Sequence, residues 1–76
     1  MMKNLKEIRT EMKDAGYTCK MCGRIYEFYK NDERVLSLRQ TLKGFDKGQI
    51  WQRDYDEDFR PVWIPVSYET IKKWYL

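Results

Sequence analysis

Seventy-six residues carry 15 Lys/Arg against 12 Asp/Glu, a net charge of +3, and 42% of the chain is hydrophobic. That length allows one domain with a core near the lower limit for independent folding, and the apolar content excludes wholesale disorder. The chain has no histidine, glycine-rich phosphate loop, nucleophile elbow or metalloprotease motif, so catalysis is the least supported class of function.

Met1–Ile8 contains no apolar run of signal-peptide length, and no segment is apolar for long enough to span a bilayer. The expectation is a cytoplasmic protein with reduced thiols and no membrane partner. Asn4 followed by Glu7 matches a capping box, and Leu5, Ile8, Met12 and Ala15 recur on one helical face. The pattern predicts a helix over 4–15, stopped by Gly16.

Next comes Tyr17-Thr-Cys19-Lys-Met-Cys22-Gly23-Arg-Ile-Tyr26, in which two thiols flank a tight turn. This stretch resembles the first knuckle of rubredoxin and zinc-ribbon proteins, which implies Cys19 and Cys22 as metal ligands. A structural zinc takes four ligands, and the second Cys-x-x-Cys of those families is missing. After Trp63 the chain has Ile64-Pro-Val-Ser67 instead. Three readings stay open. The pair is a strand-joining turn with partly buried sulfurs and no cofactor, or each of two protomers contributes Cys19 and Cys22 to a shared zinc, with a single-chain site completed by a carboxylate as a variant. The third is a redox dithiol, for which Gly23 and the β-branched, aromatic run after it are the wrong setting.

Arg24–Lys30 and Arg34–Gln40 read as strands flanking a three-residue turn, Asn31-Asp-Glu33. That loop sets Phe28 opposite Leu36 and Tyr26 opposite Leu38, gathering the large apolar groups on one face. Glu27, Tyr29, Ser37 and Arg39 then share the other. Residues 50–55 suit a third strand after the Gly44–Gly48 turn. A helical alternative, from the four-residue spacing of Trp51, Tyr55 and Phe59, is disfavoured by Gly48 near its start and acids near its end. Pro61 and Pro65 bracket an extended edge segment, and Ser67 caps a short helix through Leu76 with Tyr68, Ile71 and Tyr75 as its stripe. In that helix Glu69 can pair with Lys73. The expected architecture is one α+β domain over 1–76: N-terminal helix, three-stranded antiparallel meander, short C-terminal helix.

Charge is unevenly spread. Residues 1–47 carry 11 Lys/Arg against 7 Asp/Glu, whereas Asp54, Asp56, Glu57 and Asp58 crowd into five positions. Those acids lie beside Trp51, Tyr55, Phe59 and Trp63, a set suited to docking on a protein, with rings as anchors and carboxylates as the electrostatic guide. Leu5–Thr18 followed by strands is loosely similar in layout to some type II anti-CRISPR proteins. The similarity carries no residue across and implies only a class of partner, a host macromolecule engaged by a small phage inhibitor. The expected function is therefore a non-enzymatic protein–protein interaction module, monomeric or homodimeric. The alternative is a nucleic-acid-binding module that uses Arg24, Lys30, Arg34, Arg39 and Lys43 of the basic hairpin, with or without the shared zinc.

Overall fold

The structure, a computed structural model, describes residues 3–76. Seven elements follow in chain order: α1 (Leu5–Asp14), β1 (Thr18–Cys22), β2 (Ile25–Lys30), β3 (Glu33–Gln40), β4 (Ile50–Tyr55), β5 (Pro61–Val66) and α2 (Tyr68–Tyr75). The five strands form one antiparallel sheet in the order β1-β2-β3-β4-β5. The three-stranded meander expected from sequence is thus too small. Thr18–Cys22, read as a knuckle, pairs along its whole length with β2, and the proline-bracketed segment pairs with β4 as an edge strand.

Local chemistry sets the helix ends. Asn4 Oδ1 accepts from the Glu7 amide at 2.9 Å, and Gly16, at φ 99°, turns the chain so that the Tyr17 amide donates back to the Met12 carbonyl at 3.0 Å. Ser67 caps α2 by accepting from the Thr70 amide. Glu69–Lys73 is not among the ion pairs formed by the described residues.

Tyr26 lies opposite Leu38 and Phe28 opposite Leu36, as the alternation requires, but a different device sets that register. The loop has two residues, Asn31 (φ 54°) and Asp32 (φ 64°), the positive-φ pair of a type I′ turn, and Lys30 pairs with Glu33. Val35 is then bulged out between Arg34, opposite Tyr29, and Leu36. A two-residue loop plus one bulged residue restores the offset that a three-residue loop would have given.

Strand alternation sorts the sheet into two faces. The inner face presents Tyr26, Phe28, Leu36, Leu38, Ile50 and Val66 to Leu5, Ile8 and Met12 of α1 and Ile71 of α2. Removing each such side chain from water contributes about 1.5–3 kcal/mol. Tyr68 and Tyr75 pack against this cluster, and Tyr17 Oη donates to the Tyr75 carbonyl at 3.0 Å. Both helices cover the inner face. Among the described residues no helix lies over the outer face.

Candidate functional site

The outer face is built from alternate positions on each strand, with the Val35 bulge keeping Arg34 on the same side: Lys20 on β1, Ile25, Glu27 and Tyr29 on β2, Arg34, Ser37 and Arg39 on β3, Trp51, Arg53 and Tyr55 on β4, and Trp63 on β5. Cations and rings interleave. The Arg39 and Arg53 guanidinium carbons sit 5.3 Å and 5.7 Å from the Trp63 ring centroid, and Lys20 Nζ lies 5.2 Å from that of Tyr29. Glu27 is the sole acid in this set; it pairs with Arg34 at 3.0 Å, which raises the guanidinium's pKa further through that hydrogen bond. Arg53 Nε is enclosed and has no acceptor among the described residues. Trp51 is fixed by its indole N–H donating to Thr41 Oγ1 at 2.7 Å. Buried Ser37 lies at the middle of the face, where a small side chain lets its larger neighbours close over it.

The acidic–aromatic set does not form a single patch. Trp51, Tyr55 and Trp63 belong to the outer face, whereas Asp54 alternates to the other side of β4. Asp56 is a structural residue: its Oδ1 accepts from the Asp58 and Arg60 amides, both at 2.9 Å, and holds the β4–β5 turn. Arg60 pairs with Asp56 at 3.4 Å and Asp58 at 2.8 Å, which offsets the local charge. Glu57 is exposed. Phe59 occupies the turn at φ 60° with 84% of its surface exposed.

The basic set divides as well. Arg24, Arg39 and Lys43 converge on one cavity at the end of the sheet. Arg34 joins the outer face, but Lys30 turns toward the helix side, 4.8 Å from the Tyr17 ring centroid. Lys20 and Tyr29, part of the basic hairpin with its interleaved rings, join the surface, and Arg53 and Thr41 complete it without a sequence signal as clear. The signal for Arg53 was the alternation Trp51-x-Arg53-x-Tyr55, which puts three large side chains on one side of a strand.

The cysteines do not form the chelating turn that the knuckle resemblance implies. Both lie in β1, opposite Phe28 and Ile25. The tight turn comes after them, with Gly23 at φ 62° in the first central position that a type II′ turn requires. An odd separation along a strand sends the two sulfurs to opposite faces, about 10 Å apart at their Cα atoms. Cys19 faces the core and is half-buried, and that burial raises its thiol pKa; Cys22 is exposed on the outer side. In this register the two sulfurs do not lie together on one side of the strand. Among the described residues no three Cys, Asp or Glu side chains are grouped to hold a metal, and no helix is long and apolar enough to cross a membrane.

No family model, curated protein or solved structure matches this chain.

Proposed function

We propose that this protein is a non-enzymatic binding module whose working surface is the outer face of the sheet, and that its ligand is single-stranded nucleic acid. The observation that carries this reading is the row Arg39–Arg53–Trp63, flanked by Trp51, Tyr55 and Tyr29, on a sheet face without a covering helix. Rings that stack bases beside cations that meet phosphates are the two components of single-strand recognition. A cytoplasmic setting, where thiols stay reduced, is part of the same proposal. Anisotropy of a labelled 12-nucleotide oligothymidylate at increasing salt tests it. Three or four phosphate contacts give a slope of log affinity on log salt of about −2 to −3. Absence of saturable binding at low salt would remove this reading.

A second reading, docking on a host protein through Tyr55, Phe59 and the neighbouring acids, is favoured by one observation. Phe59 keeps a large ring in solvent at a backbone angle that side chains other than glycine resist. Here the oligonucleotide does not bind, and the affinity of a recovered partner falls in Phe59→Ala.

A further inference from the structure

A cavity of about 480 Å³ opens where the outer face ends, between the β1–β2 turn and the β3–β4 loop. Its working lining is Cys22, Arg24, Ile25, Arg39, Thr41 and Lys43; Gln40 and Leu42 complete the wall, and no carboxylate is among them. The ion pairs of the described residues engage Lys3, Arg34 and Arg60, and none involves Arg24, Arg39 or Lys43. A concave site that gathers three positive charges and no negative one concentrates anions, because its low-dielectric walls focus the field. The volume falls within the range of small-ligand sites and accommodates a phosphate with part of its sugar.

Two further features suit a phosphoryl ligand. The Thr41 hydroxyl accepts from the Trp51 indole at 2.7 Å, so its own proton is available to donate. Arg39 serves both regions: it lines the cavity and stacks over Trp63 on the outer face. A group bound in the cavity is therefore continuous with the ring-bearing surface.

We infer that this cavity is a phosphate site, and that it holds one phosphate of a strand whose bases lie on the outer face. The strand assignment rests on the proposed function; the phosphate assignment rests on the cavity alone. Arginine forks and a lysine are the groups that meet phosphate oxygens, through charge-assisted hydrogen bonds.

Cys22, in the cavity wall, serves as the reporter. N-ethylmaleimide labelling of Cys22 and Cys19 is followed by peptide mass spectrometry in the intact chain. The arms are inorganic phosphate, the 12-nucleotide oligothymidylate, and chloride at matched ionic strength. Phosphate and oligonucleotide are expected to slow Cys22 labelling at least threefold and saturably, chloride to leave it unchanged, and Cys19 to respond to none. The Arg24→Gln/Lys43→Gln double variant loses the protection and binds the oligonucleotide at least tenfold more weakly. Unprotected Cys22, or protection that survives in the double variant, overturns the phosphate site. If the oligonucleotide binds the double variant as well as the unmodified protein, the site falls while the nucleic-acid reading stands. If inorganic phosphate protects Cys22 but no oligonucleotide binds, the strand assignment falls and a free phosphorylated molecule takes its place.

Discussion

At the scale of single residues, Glu11 joins the two helices. Its Oε1 accepts from Tyr68 Oη at 2.7 Å and from Lys3 Nζ at 3.1 Å. The Tyr68 hydrogen bond, with help from Lys3, holds the Glu11 carboxyl below its ordinary range against the opposing effect of burial. Their hydrogen bonds to this one carboxylate raise the Tyr68 phenol and the Lys3 ammonium. A depressed carboxylate contributes stability above its unfolded pKa and loses it as pH falls through the folded value. The raised phenol and ammonium contribute below their unfolded pKa values and lose that contribution as pH climbs through the folded ones. The network is therefore fully effective between about pH 5 and pH 9. Tyr68→Phe removes the donor and keeps the ring. It is expected to lower the thermal midpoint by a few degrees at pH 7, and the deficit should shrink as pH falls below the ordinary carboxylate range and Glu11 takes up its proton. Circular dichroism melts of both proteins across that range check the sign. A deficit of constant size at every pH would mean that the hydroxyl acts without linkage to Glu11.

At the scale of elements, the non-glycine residues with positive φ among those described all lie in turns, and the β4–β5 turn carries the least expected of them. Asp56 closes that turn through two amides, and the Phe59 amide donates to the Asp56 carbonyl at 3.0 Å, with Phe59 left in the left-handed region. Relief of that strain by glycine outweighs the extra entropy of its unfolded chain. Phe59→Gly is expected to raise the unfolding free energy by about 0.5–1 kcal/mol in urea titration. On the nucleic-acid reading it leaves oligonucleotide affinity unchanged; on the protein-docking reading it costs partner affinity. Which elements the sequence disclosed follows from the same local physics. The helices were legible because Asn4 and Ser67 cap them and apolar residues repeat at helical spacing. The β2–β3 register was legible because period-two alternation tolerates only one parity, although the turn and bulge that produce it were not. Strand β1 was hidden because Cys-x-x-Cys-Gly satisfies two patterns at once. A metal knuckle and a strand entering a type II′ turn both need glycine after the second cysteine, and only pairing with β2 decides between them.

At the scale of the whole molecule, the sheet separates the core from the face proposed to bind ligand. Chain length alone sets an unfolding free energy of about 4–11 kcal/mol. The inner face supplies it through a thin core in which Phe28, Ile8, Met12, Leu38 and Ile71 are the largest fully enclosed side chains. The candidate site was only half legible for the same reason. Trp51, Trp63, Arg39 and Arg24 were visible as residue types, but two faces of one sheet cannot be told apart until the strands are counted. Five strands put Trp63 beside Arg53 and on the same face as Arg39. Substitutions on the two sides should therefore fail in different ways. Phe28→Ala removes a fully buried ring at a cost of about 3–5 kcal/mol, a large share of the margin of stability, and is expected to move the cooperative urea transition far toward zero denaturant. Trp63→Ala removes a half-buried ring from the outer side; the transition is expected to persist while oligonucleotide affinity drops about tenfold or more, from lost stacking and from two guanidinium groups that lose their platform. Paired urea and anisotropy titrations read both effects. A Trp63→Ala protein that binds like the unmodified chain would take the outer face out of ligand recognition, and an equally destabilised one would make that face part of the core.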